Sequence, residues 1–311
     1  MTRINWCMGF LLFFFVESCK SKTQYDAGLP DTGDRGTIHI SCDESFKPAI
    51  DEQVFVYQSL HPGTRIIVHY KPEADCLRDF LVDSIRMVIA TRGFSAGERN
   101  RMIDSLKVRP EQMVVARDLV AVIVNSASAD TMFSMQEVRD LLTGKSKENL
   151  IPVFDGTKAT STVRFMIDSV LRGDSLSSKV VAASNSREVI DYIIRVPNAV
   201  GFIGFSWIGN KEDTAQNRIR DKLKLAYVES TDSANAYVQP SQRFIYSKTY
   251  PMVRDLVYVL KERHRGLAHA FAYFLAQSDK GQRIFRRSYL MPVIWPNYVR
   301  EVQLNEKINN Q

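Results

Sequence analysis

No stretch of this 311-residue chain holds the ~20 consecutive apolar residues that a membrane-spanning helix needs. Cysteine and histidine are scarce, four and five residues, and none fall in the paired spacing of a metal site. Neither a metal nor another cofactor is therefore expected. Lys/Arg runs and aromatic–basic repeats are missing too, although net charge is +6 and the pI near 9.1. That lack argues against a nucleic-acid partner, while the charge still favours anionic ones. No internal repeat is present, which excludes a solenoid. With 45% hydrophobic and 24% charged residues, what remains is an ordinary globular chain, long enough for about two domains of ~150 residues.

The amino terminus carries an address. Arg3 forms a short basic segment and "WCMGFLLFFFV" an apolar core of signal-peptide length, ending in "VESC". A branched apolar residue three before a cysteine and a small one directly before it match a lipoprotein signal. Residues 1–18 are accordingly expected to be removed and Cys19 to carry lipid. Residues 19–35, "CKSKTQYDAGLPDTGDR", then read as a polar tether. Acyl chains supply membrane affinity by themselves. Beyond these, Cys42 and Cys76 are either a disulfide or two buried thiols.

Downstream, strand and helix patterns alternate. "TIHIS" (37–41), "RIIVHY" (65–70), "MVIAT" (87–91), "LVAVIVN" (119–125), "LIPVF" and "AVGFIGF" (199–205) read as strands. Between them lie amphipathic segments, several with capping pairs: Ser95/Glu98, Ser134/Glu137 and Asn185/Glu188. Further strands are expected near 223–228 and 243–246, and terminal helices at 252–262 and 266–278. Such alternation argues an α/β architecture with largely parallel sheets.

Chemistry concentrates in the strand-to-helix turns. "FDGTKATSTVRF" (154–165) puts an Asp-Gly turn, a lysine and three hydroxyl residues before a stripe of Val163, Met166, Ile167, Val170 and Leu171. Hydroxyls on a helix's first turn, beside unpaired N–H groups, make a seat for an anion or simply a well-capped helix. "CDESFKP" offers Ser45 in the same position, "YKPEAD" offers Lys71 and Glu73, and "TRG" offers Thr91 and Arg92. Ligands of open α/β sheets sit beyond the carboxyl ends of strands, where these turns can converge. An oxyanion needs such fixed donors plus a cation or two, because its dehydration is otherwise costly.

These residues carry a resemblance. "GTIHISCDESFKPAI", "FSMQEVRDLLTG", "DGTKATST" and "AVGFIGFSWIG" resemble the phosphate-binding lipoproteins of ABC-type phosphate importers, in the type II periplasmic binding protein superfamily. The likeness spans essentially the whole mature chain. It implies an α/β fold of two lobes, each a mixed, mostly parallel sheet flanked by helices: 36–122 with 246–311, and 123–245. It also implies a monomer in the cell envelope that hands phosphate or a related oxyanion to an ABC permease. Carried over, Ser45 and Phe46 match the first hydroxyl and backbone donors. Asp155 matches the loop acid, and Lys158, Ala159, Thr160 and Ser161 the anion loop. Thr91 and Arg92 stand where the family has Ser-Asp, and Val153 where it has an arginine. The resemblance then leaves Lys158 and Arg92 to supply the cation and Glu73 the acceptor of the ligand's proton.

Two other readings compete. "GFSAG" (93–97) matches a nucleophile elbow, with Asp155 or Asp168 and His264 in hydrolase order, though the Ser95–Glu98 box already accounts for the serine. A lipoprotein that senses an oxyanion without transporting it is the third possibility.

Overall fold

A computed structural model describes residues 30–156, 159–262 and 264–294. The signal segment, Cys19, most of the tether and Lys158 lie outside them. The chain begins with β1 (Arg35–Asp43), α1 (Lys47–Leu60), β2 (Gly63–Lys71), α2 (Glu73–Asp79), β3 (Ile85–Ala90) and α3 (Ala96–Leu106). β1 pairs in parallel with both β2 and β3, as strands joined by crossover helices do. The 15-residue β4 (Glu111–Asn125) follows, then β5 (Met132–Phe133), α4 (Met135–Thr143), β6 (Ile151–Phe154), α5 (Ser161–Phe165), β7 (Val181–Ala182), α6 (Ser186–Arg195) and β8 (Ala199–Gly204). The rest runs α7 (Thr214–Arg220), β9 (Leu223–Leu225), β10 (Tyr227–Glu229), β11 (Tyr237–Val238), α8 (Gln242–Tyr246), β12 (Val253–Leu260), α9 (Leu267–Gln277), α10 (Asp279–Arg287) and β13 (Met291–Pro292).

The main sheet has the order β2-β1-β3-β12-β4-β8-β6-β7, with β9 and β13 also paired to β4. It is parallel towards both ends and antiparallel around β12 and β4. Its mixed pairing and flanking helices give the α/β class expected from the sequence. Two principal cores flank the middle. One holds Ile38, Ile40, Phe46, Ile50, Phe271 and Phe285, with a satellite around Cys76, Phe80 and Phe94. The other holds Val122, Phe154, Met166, Ile190 and Phe202. β4 serves both: Val115 and Ala116 pack into the first, Leu119 to Val124 into the second. β12 does the same, since Leu256 and Leu260 join the first core while Val253 packs against the second.

Local chemistry explains most elements. Ser95/Glu98 and Ser134/Glu137 form complete capping boxes, and Gly144 ends α4 at a φ of 78°. Three expectations fail. Residues 252–262 contain a strand, β12, where a helix was expected. "LVYVL" is apolar on both faces, and periodicity alone does not separate a buried strand from a buried helix; pairing to β3 and β4 decides it. The segment 243–246 lies in the five-residue α8, not in a strand. The stripe after Thr160 stops being α-helical at Phe165 and widens into a π turn over Met166–Val170. Cys42 and Cys76 are both buried free thiols.

Candidate anion-binding site

Two strand ends, one beside each core, meet. β1 ends at Asp43, whose carboxylate accepts from the Ser45 amide at 3.0 Å and so starts the 3-10 turn Glu44–Phe46. β6 ends at Phe154, and the chain then turns through Gly156 (φ 143°) and Ala159 (φ 71°) into Thr160. Glycine tolerates such angles readily. Thr160 caps α5 by accepting from the Val163 amide at 3.3 Å. Ser45, Ser161 and Thr162 are fully buried. The Ser45 and Ser161 hydroxyls lie 3.2 Å apart, although 116 residues separate them in sequence. Ser45 Oγ also donates to Asp155 Oδ2 at 3.5 Å, and Thr162 Oγ1 donates to the same oxygen at 3.4 Å.

The cation of this cluster was not among the residues singled out from sequence. Arg254, on β12, donates from Nη1 to Ser161 Oγ at 2.9 Å and Thr162 Oγ1 at 3.2 Å. Its Nε and Nη2 both reach Asp118 Oδ2, its register partner on β4, at 3.0 and 2.9 Å. Its guanidinium lies 5.0 Å from the Phe46 ring centroid, a cation–π distance. Reading 252–262 as a helix hid this arginine. A charged pair in a strand otherwise buried on both faces is the signal that marks it.

The electrostatics follow from burial. Loss of water pushes the Asp43 and Asp155 carboxyls up to about 6, against the opposing pull of Arg254. Burial raises Asp118 as well, despite its bonds from that arginine. One oxygen of each, Asp43 Oδ2, Asp118 Oδ1 and Asp155 Oδ1, is buried without a partner among the described residues. One guanidinium thus faces three carboxyl groups, with hydroxyl donors between them. A guest that brings both negative charge and a proton suits this arrangement; one that brings charge alone meets the carboxylates.

Other predicted residues surround or leave the cluster. A cavity of about 430 Å³ is lined by Asp43, Asp155, Thr160, Lys71, Tyr70 and Trp207, among others. Lys71 is nevertheless paired with Asp79 at 2.7 Å. Glu73 and Thr91 are bonded to each other and to Arg164, so the Glu73 carboxylate is already engaged. Arg92 pairs with Glu98 and is not drawn into the Ser45–Ser161 cluster. The capping glutamate is the nearer partner that claims it. With α5 only five residues long, the donor power of the loop rests on hydroxyls and Arg254 rather than on a helix dipole. The hydrolase constellation does not assemble: Ser95 caps α3, His264 lies 3.6 Å from Asp31, and Asp155 belongs to the arginine cluster. Asp31, Glu262 and His264 could offer a metal ligand atoms within 4.8 Å of one another, but Arg86 already pairs with both carboxylates.

Residues 28–280 match the profile of the PBP superfamily domain. Several solved structures share the fold at low identity. One, described as a phosphate ABC transporter substrate-binding protein with bound phosphate from Clostridium perfringens, is 16% identical with a TM-score of 0.67, over 83% of this chain and 100% of its own. An ABC-type phosphate transport receptor from Vibrio cholerae is 15% identical with a TM-score of 0.59, over 83% and 100%. An OxyR mutant from Corynebacterium glutamicum is 14% identical with a TM-score of 0.55, over 86% and 68%. No curated protein matches the chain. A fold that occurs both in transport receptors and in OxyR leaves the guest to be argued from the site itself.

Proposed function

This chain belongs to the PBP superfamily, and on that premise we propose that it captures an inorganic oxyanion, phosphate, between two lobes and delivers it to an ABC permease. Ser45 with Phe46 and Asp155 with Ala159, Thr160 and Ser161 form the seat, and Lys158, outside the described residues, belongs to the same proposed ligand set. The lobes are residues 36–122 with 246–311, and 123–245. The protein works as a monomer at the extracytoplasmic face, held by lipid on Cys19, and makes or breaks no bond. In support, no helix among the described residues is long and apolar enough to cross a membrane. The observation that carries the reading is the joining of Ser45 and Ser161, from distant turns, with Asp155 and Arg254 in one buried cluster.

Arg254 provides the positive charge for which Val153 has no counterpart. The acceptor of the ligand's proton, which Glu73 was expected to provide, falls instead to Asp43 or Asp155, each with one buried oxygen that has no hydrogen-bond partner among the described residues. Hydrogen phosphate has a proton to give them and sulfate at neutral pH has none, which makes the site selective. Calorimetry of residues 20–311 against phosphate, sulfate and molybdate tests the reading. Phosphate should bind and sulfate should not. Thr160→Ala combined with Ser161→Ala should weaken phosphate by about 1–3 kcal/mol per lost donor to a charged group. Equal affinity in the double variant would refute the assignment.

A further inference from the structure

Glu73 is an anion built into the chain. Its side chain is buried, and four donors converge on it: the Thr91 amide at 3.0 Å, the Thr91 hydroxyl, Arg164 Nε at 2.6 Å and Arg164 Nη2 at 3.3 Å. Arg164 Nη2 donates to Thr91 Oγ1 as well, at 2.7 Å, so the donors form one cradle. Its parts come from elements packed in two different cores. Glu73 starts α2, whose Cys76 and Leu77 pack in the satellite core with Phe94, near Thr91. Arg164 lies in α5, whose Val163 and Phe165 belong to the core around Phe154. Next to the cradle, the Ala74 amide donates to the Ala159 carbonyl at 3.0 Å, directly before Thr160 and Ser161.

We propose that Thr91 and Arg164 form a second small-anion subsite beside the Ser45–Ser161 seat, and that the Glu73 carboxylate occupies it as a tethered ligand clasping the two sides together. Burial pushes this carboxyl up, yet the bonds from Arg164 and Thr91 outweigh it and leave it below the usual range, as for a bound anion. The groups facing it are Arg164, Thr91 and, more distantly, Asp43. Asp168 shares the outer edge of Arg164 at 3.3 Å but is itself exposed. Glu73 is thus a positioning residue. It restricts the guest to one small oxyanion and holds the Ala159–Ser161 loop against α2. The ligand of the neighbouring seat rests on the function proposed above; the cradle's geometry does not.

Formate is the probe, because it offers the same carboxylate without the tether. Melting temperatures of the wild type, Glu73→Ala and Glu73→Gln should be compared in sodium formate and in sodium chloride of equal ionic strength. Formate should raise the midpoint of Glu73→Ala by a few degrees and leave the other two unchanged. No rise, or an equal rise in all three, overturns the proposal, and this readout does not depend on whether phosphate binds. Glu73→Gln guards against an Ala variant that does not fold. Its amide places an N–H₂ against the Arg164 donors, so hydrogen exchange at the Thr91 and Ala74 amides should quicken at least tenfold. Unchanged protection at both amides equally defeats the clasp. Phosphate binding by the wild type is scored separately: its failure removes the transport reading and leaves the formate result standing.

Discussion

Arg254 and the three carboxyls around it are the residues on which the site's charge turns. Replacing Arg254 by Met leaves Asp43, Asp118 and Asp155 buried without a counter-charge, a change that costs about 3–5 kcal/mol when a buried pair loses one partner. Chemical denaturation should show that loss, and adding Asp118→Asn should recover part of it. Protonation provides a second test. The Asp43 and Asp155 carboxyls sit near 6 in the folded chain, above the ~3.9 of an unfolded Asp. The native state therefore holds more protons than the unfolded one between those values, and stability falls as pH rises through that window. Glu73, held low, contributes fully above about 4.3 and is lost only in stronger acid, so it does not mask the trend. Scanning calorimetry of the ligand-free protein should give a higher midpoint at pH 5 than at pH 7.5, and Asp43→Asn with Asp155→Asn should flatten the slope.

At the scale of elements, a single glycine fixes how closely β8 approaches the cluster. A Cβ on Gly204 would meet Arg254 Nη2 at 2.9 Å, the Ser45 carbonyl at 3.0 Å and Asp118 Oδ2 at 3.2 Å. The Ser45 contact is backbone and cannot swing away, so Gly204→Ala must shift the arginine pair. Overpacking of this kind costs about 1–3 kcal/mol, and phosphate affinity should fall with stability. Ser95→Ala makes a contrast. It removes the cap of α3, worth about 1 kcal/mol, and should leave phosphate affinity as it was. An ester-hydrolysis assay of both proteins should stay at background, since Ser95 bonds to Glu98 and not to a histidine.

At the scale of the molecule, several bonds already span the two cores. Ser45 meets Ser161, Ala74 meets Ala159, Glu73 meets Arg164, and the Ser186 hydroxyl donates to Glu44 at 2.8 Å. On the proposed function, an oxyanion entering between hydroxyls 3.2 Å apart has to part them, which would couple binding to a shift of the two turns. Trp207 lines the cavity, where it is placed to sense such a shift. Titration with phosphate should change its fluorescence, and Trp207→Phe should abolish the change; a response that survives would place the signal elsewhere.

By itself the sequence determined the α/β class, the caps at Ser95, Ser134 and Asn185, and the hydroxyl turns at Ser45 and Thr160, because each is written in neighbouring residues. It also held Asp155 and Ser161 in one short loop, so that half of the proposed seat lies in neighbouring residues. Only the tertiary structure decided that residues 253–260 form a strand, since hydrogen bonds to β3 and β4, and not periodicity, choose between two fully buried conformations. The same pairing set Arg254 opposite Asp118 and aimed it at Ser161. It left Arg92 with Glu98 and Glu73 with Arg164, because a charge binds whatever opposite charge the fold brings nearest, and sequence distance does not record that.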